Sequence, residues 1–186
     1  DTKLIMKEAF IHDVVTLGFL IPFSILSIAE VAFHYTVYPL FLTHAFTVHM
    51  LFDLIWIHRR PHVLTSYHKL IKFHHLVVLS FLLYPLFRPW DSRIVAVGGL
   101  IEIDTTLLLL KRIFKGNWLL RRLYMASNLI IRVWYVTLLS FLYWYYTQYE
   151  NFWMRLHIMS AQAFVNLFSF AICIVTFTKE IKRKLA

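Results

Sequence analysis

The chain has 186 residues, of which 60% are hydrophobic and only 16% charged, with a formal charge of +9 and a mean hydropathy of +0.64. Soluble domains carry about 25% charged residues, so this composition excludes an ordinary soluble globule and points to an integral membrane protein of one domain, residues 1–186. The basic excess is not that of a nucleic-acid binder, because no polar, basic domain exists to hold one; on an apolar chain it marks membrane-flanking loops.

Spanning a bilayer takes about 20 apolar residues in a helix, and six such runs follow one another. The first is expected over Val14–Phe33, with Gly18 and Pro22 inside it and Glu30 near its end, after a short amphipathic lead holding Lys3, Lys7 and Glu8. No apolar segment with a small-residue cleavage site lies in Asp1–Asp13, so no signal peptide is expected there. The second run, Thr36–Ile57, carries His44, His49 and Asp53, and the basic linker His58–Lys69 separates it from a third, Leu70–Phe87, that opens with His74-His75. Arg88-Pro89-Trp90-Asp91-Ser92 reads as a turn. The fourth run, Arg93–Ile113, has Glu102 and Asp104 in its middle; the fifth, Leu119–Thr147, contains Asn128 and Arg132; the sixth, Phe152–Thr178, is followed by the basic end Lys179–Lys184. The lone cysteine, Cys173, rules out a disulfide within the chain.

Charge checks the count. With six crossings, only Arg88, Arg93 and Arg155 of the 19 Lys and Arg fall on the far side and Arg132 lies within a run, leaving 15 on the side of both termini. That asymmetry follows the positive-inside rule and orients both termini toward the cytoplasm or an organelle matrix. The tryptophans Trp56, Trp90, Trp118, Trp144 and Trp153 sit at run ends, where they suit the membrane interface.

The ionisable residues inside these runs are the candidate site, because charge in hydrocarbon defaults to pairing or function. Asp53 and the His74-His75 pair lie at similar depth on the two arms of a hairpin, with His49 one turn deeper on the face of Asp53. Adjacent helical residues point about 100° apart, so no more than one of His74 and His75 is expected to face a cavity. Glu102, Asp104 and Arg132 lie nearer the midplane, and Arg132 needs one of the two carboxylates as a partner. Glu30 with His34 and His44 forms a smaller polar group on the opposite side. Metal sites fit less well. The run His58, His62, His68, His74, His75 lacks the second histidine box of membrane di-iron enzymes, since only His157 follows, and His49 and Asp53 with one histidine of the pair have no diagnostic zinc spacing. No metal or other cofactor is expected.

An aspartate near one helix end, a histidine pair opening the next helix and an acidic helix 25 to 30 positions later resemble the TLC-domain family, the membrane fold of the ceramide synthases and several relatives. The resemblance runs from Leu51-Phe52-Asp53 to the fifth run. Anchored on Asp104, Lys111 falls where ceramide synthases carry a lysine, but their His-Asp pair becomes Leu100-Ile101 and their glutamate Leu108. Glu102-Ile103-Asp104-Thr105-Thr106 looks more like the Glu-x-Ser-Thr-Pro pattern of the other TLC branch. The resemblance implies an all-α bundle of six transmembrane helices around a cavity open to acyl chains. It also implies that His74 and His75, with Asp53, would serve as the acid–base group of an acyltransferase.

The expectation is a TLC-like protein that binds or organises membrane lipid without catalysis, its polar cavity lined by His49, Asp53, His74, Glu102, Asp104 and Arg132. A role as accessory subunit of a larger organelle membrane complex, in the mitochondrial inner membrane or endoplasmic reticulum, fits the compact length. Acyl transfer to a lipid amine or hydroxyl is the alternative, and lipid transport a third.

Overall fold

A computed structural model describes residues 2–33, 40–63 and 67–185. Among the described residues every regular element is helical, as expected of a chain whose apolar runs must satisfy their backbone groups within themselves in a bilayer. Helix α1 spans Thr2–Phe33, α2 Phe41–Arg59, α3 His68–Phe87, α4 Arg93–Gly99, α5 Glu102–Ile113, α6 Trp118–Leu129, α7 Val136–Tyr146 and α8 Phe152–Leu185. Short 3-10 turns at Pro61–Val63 and Pro89–Asp91 follow α2 and α3, and a π-helical segment, Ile130–Tyr135, joins α6 to α7.

These elements group into six rods, α4 joined to α5 through a short turn and α6 to α7 through the π segment. Among the described residues four stretches are long and apolar enough to cross a membrane: Ile5–Phe33, His68–Phe87, Trp118–Tyr146 and Phe152–Arg183. Helix α2 has 19 residues, among them His44, His49, Asp53, His58 and Arg59, and the rod of α4 and α5 is interrupted after Gly99. Neither therefore reaches the apolar length of the other four.

The element bounds depart from the sequence reading in three informative places. Helix α1 begins at Thr2 rather than Val14, so the supposed lead, with His12 and Asp13, is a continuation of the helix. The fourth run bends where the Ile101 amide donates to Gly98 O (3.1 Å) and the Asp104 amide to Ile101 O (3.1 Å), a tightened 3-10 turn. That turn releases the Val97 carbonyl, which instead accepts from the Tyr135 hydroxyl at 2.6 Å. Helix α8 continues through the basic end to Leu185, its polar residues keeping helical register beyond the apolar stretch. Thr36 and His34 lie outside the described residues, as does the side chain of Trp90.

Successive neighbours close a ring: α1 packs on α2, α2 on α3, α3 on α8, α8 on α7 and the π segment, α6 on α5, and both α4 and α5 on α1. Phe23, Phe46, Leu82 and Ala96 join α1, α2, α3 and α4 in one apolar cluster, while Tyr84, Leu139, Tyr143 and Ile158 join α3, α7 and α8 in another. Gly99 permits the α1–α4 approach, since a Cβ there would lie 2.7 Å from the Phe23 ring and 3.0 Å from Ser27 Oγ. The exterior is apolar: Ile130 is 60% exposed, Leu167 70% and Ile174 66%. Polar Asp104, Asn128 and Ser169 are fully buried. Polar inside and apolar outside reverses the arrangement of a water-soluble protein, and hydrocarbon is the solvent that tolerates it.

Two polar clusters tie the ends. Between the α3–α4 and α7–α8 connections, Arg88 donates to Glu150 (2.8 Å), and the Tyr84 hydroxyl reaches Asp91 at 3.0 Å and Glu150 at 3.2 Å. At the α1 start, Glu8 accepts from Arg60 (2.9 Å) and bonds His62 (2.6 Å), fastening α1 to the turn after α2. Gly116, at φ +91°, turns the chain from α5 to α6 in a conformation that side-chain-bearing residues rarely adopt.

Candidate functional site

All six rods contribute to one cavity of about 230 Å³ on the axis of the ring. Its wall is mostly apolar, with Leu20, Phe46, Val78, Leu82 and Val165 among the lining residues, and its polar part collects His12, His49, Asp53, His74, His75, Glu102 and Arg132.

Asp53 is the centre of that polar part. The α2–α3 hairpin expected from the sequence is present, and it brings His75 Nε2 to 2.5 Å from Asp53 Oδ2. The other carboxyl oxygen lies 2.5 Å from Nε2 of His12, a residue of α1. His75 Nδ1 sits 2.9 Å from the Ile71 carbonyl, which can only accept, so Nδ1 carries its proton. A single proton then occupies the contact between His75 Nε2 and Asp53, giving either an imidazolium–carboxylate or a neutral imidazole–carboxylic acid pair. His12 Nε2–H donates to Asp53 in the first form. Its Nδ1 has no hydrogen-bond partner among the described residues and lies 3.6 Å from Asp13, which in turn pairs with Arg112 at 3.1 Å. The result is a line of ionisable groups from half-buried Arg112 through buried Asp13, His12 and Asp53 to His75.

His74 also borders the cavity, so both histidines of the pair face it, against the expectation of at most one. The cavity wraps far enough around α3 to meet directions 100° apart. His74 lies flat on Phe168 with ring centres 4.1 Å apart, and its Nδ1 is buried without a partner among the described residues. His49 stacks on Phe19 at 4.1 Å and shares the wall with Asp53.

Glu102 and Arg132 line the cavity as expected, but Asp104 does not. Two positions along a helix is about 200° of rotation, so with Glu102 turned to the cavity, Asp104 faces α6. There it is fully buried and accepts from Ser127 Oγ (2.6 Å), Asn128 Nδ2 (3.1 Å) and Arg132 Nε (2.7 Å). Arg132 Nη2 continues to Thr105 Oγ1 at 3.0 Å. The wider turn of the π segment keeps Arg132 on the same face as Ser127 and Asn128, five and four residues earlier; such segments are frequent at functional sites. Gln162 of α8 donates to the Val136 carbonyl beside the π segment at 3.0 Å. Asp104 is therefore the anchor that fixes Arg132 at the cavity wall, the ion pair predicted for one of the two carboxylates.

The smaller groups resolve differently. Glu30 is buried and His44 Nδ1 bonds the Leu40 carbonyl at 2.9 Å. Trp118, Trp144 and Trp153 are exposed at helix ends, whereas Trp56 packs against the His12 ring at 5.9 Å and beneath the Arg60 guanidinium at 4.9 Å. Among the described residues no group of three or more His, Cys, Asp and Glu side chains is disposed to hold a metal ion. His12 and Asp13 are the residues that sequence reasoning passed over. Their signal was an adjacent His-Asp pair that becomes intramembrane once α1 starts before Val14.

Among the described residues the fold is helical throughout its regular elements, with four apolar helices of membrane-spanning length around a cavity that holds a polar part. No protein-family model matches the chain, and no curated protein or solved structure is significantly similar to it.

Proposed function

We propose that this chain is a lipid-binding integral membrane protein of TLC-like architecture, with α2 and the α4–α5 rod completing six crossings. An amphipathic lipid would lie with an apolar segment in the axial cavity and a polar group against Asp53, His75 and Arg132. The observation that carries the reading is the cavity itself: every rod turns side chains into it, its wall is apolar, and its buried polar groups converge at one part. Its volume is below the roughly 300–1,000 Å³ of typical small-molecule sites, which suits a lipid segment entering from the membrane rather than an enclosed whole molecule. Native mass spectrometry of the protein from mild detergent tests it. Bound lipid is expected on wild type and is expected to fall at least about tenfold in Ala161→Phe, which fills the cavity from α8. A lipid-free wild type, or equal occupancy in a folded variant, would sink the proposal. Recovery at fixed stoichiometry within a larger assembly would extend it to an accessory-subunit role.

Acyl transfer is the second reading, favoured by His74 beside the buried His75–Asp53 pair at the cavity wall. In such a step the lipid amine or hydroxyl attacks an acyl thioester, His74, whose Nδ1 has no partner among the described residues, takes the proton of the attacking group, the C–S bond breaks and the thiol leaves with that proton. His75 has both ring nitrogens engaged, Nε2 with Asp53 and Nδ1 with the Ile71 carbonyl, and would hold the shape of the cavity beside His74. His74→Ala is expected to lower turnover of a lipid amine with an acyl thioester by 10² or more, and Asp53→Asn to slow it by loosening the His75 pair. Full activity in both would end the enzyme reading while leaving lipid binding intact.

A further inference from the structure

A second cavity, of about 560 Å³, lies at the end of the bundle where α5 stops, α6 starts and α8 ends. It is lined by five cations, Lys111, Lys115, Arg121, Lys179 and Arg183, against one carboxylate, Glu180. Glu180 is occupied by Arg183 at 3.2 Å and Arg121 at 3.7 Å, an arrangement that pins α8 to α6. Among the described residues no carboxylate pairs with Lys111, Lys115 or Lys179; Lys111 Nζ instead sits 3.9 Å above the Tyr124 ring, and Lys179 Nζ lies 6.0 Å from that of Tyr67. Three like charges held around one concavity repel, and the arrangement is relieved by an anion placed between them.

The cavity is not purely polar. Ile71, Leu108, Phe168 and Ile172 border both it and the axial cavity, so an apolar passage leads inward from the basic rim. The α6 amides do not provide the anion site, because Asn117 Oδ1 already accepts from Leu119 N (3.0 Å) and Leu120 N (3.1 Å). The side chains must do it. Basic pockets between membrane helices are suited to phosphate headgroups, with about one log of affinity or slightly less for each lysine near the anionic surface.

From this geometry we infer that the α5–α6–α8 groove is a binding site for the phosphate of an anionic phospholipid, with Lys111, Lys115 and Lys179 as its cationic contacts and the apolar passage receiving chain. The site requires the bundle to sit in a membrane but not any particular occupant of the axial cavity. It is tested with full-length protein in neutral phosphatidylcholine micelles, titrated with phosphatidic acid or with inorganic phosphate and followed by native mass spectrometry and thermal shift. Wild type is expected to prefer phosphatidic acid over phosphatidylcholine by at least about tenfold, with the preference shrinking as salt rises. The triple variant Lys111→Gln/Lys115→Gln/Lys179→Gln is expected to weaken phosphatidic acid binding by roughly 100-fold, and the matching Lys→Arg triple variant to keep it. Lys115→Gln alone, at an exposed position, should give a several-fold loss without a folding penalty, and Ala161→Phe should leave the preference unchanged. Stabilisation by inorganic phosphate equal to that by phosphatidic acid would show the site reading phosphate from a soluble source and overturn the lipid assignment. No preference in wild type, or one retained in the folded Lys→Gln triple variant, would overturn the site altogether.

Discussion

Arg132→Leu probes the buried cluster that holds the cavity wall. Arg132 is 6% exposed, and its partner Asp104 is fully buried and accepts from Ser127 and Asn128 as well. Removing the guanidinium leaves a carboxylate in a dry interior with only two neutral donors, and breaking a buried pair in this way costs about 3–5 kcal/mol. Loss of Asn128 alone is a smaller event, because hydrogen bonds between membrane helices average about 0.6 kcal/mol and reach about 1.7. At the roughly 2–4 °C per kcal/mol typical of this chain length, Arg132→Leu should lower Tm by about 6–20 °C and Asn128→Ala by a few degrees at most. Thermal unfolding in a fixed detergent, read by tryptophan fluorescence, measures both. The double variant Asp104→Leu/Arg132→Leu supplies the decisive arm: with both charges gone it should be more stable than Arg132→Leu alone. An Arg132→Leu protein as stable as wild type, or a double variant as poor as the sum of its parts, would refute the reasoning.

Gly99→Ala should destabilise by about 1–3 kcal/mol, because its methyl group meets the Phe23 ring at 2.7–2.8 Å, while Gly18→Ala, with nothing within 4 Å, should not destabilise in the same melt. Tyr135→Phe removes the donor to the Val97 carbonyl released by the bend between α4 and α5 and should cost about 1–2 kcal/mol, visible as faster amide exchange in Val97–Asp104; unchanged exchange would show that the bend does not depend on that bond. His12→Ala strips one donor from Asp53 and should slow any acyl transfer without abolishing it, since His74 remains; an effect as large as that of His74→Ala would make His12 a primary acid–base group.

Much of the site could be read from one dimension because ionisable residues in apolar runs are few and their depth follows from helical rise. The mirrored positions on a hairpin put Asp53 at the depth of His74 and His75 without choosing between them, and Arg132 is assigned a carboxylate partner because a buried cation requires one. Which carboxylate it was, Glu102 or Asp104, depended on the rotation of α5 about its axis. The polar residues of α5 fall on opposite faces, Glu102 and Thr106 on one and Asp104 and Lys111 on the other at about 100° per residue, so the pattern does not say which face meets α6, and packing set it instead.

The sequence by itself determined that this protein is helical, apolar outside and charged at its ends, because composition and run length follow directly from the solvent in which the chain must be stable. It also determined which side chains would be costly to leave unpaired. Only the tertiary structure decided that His12, 41 positions from Asp53, bonds its second carboxyl oxygen, that both histidines of the pair share one wall, and that Lys179 joins Lys111 and Lys115 at one groove. Those outcomes depend on which helices become neighbours and how each is turned, and that choice rests on close packing summed over all six rods rather than on any local run of residues.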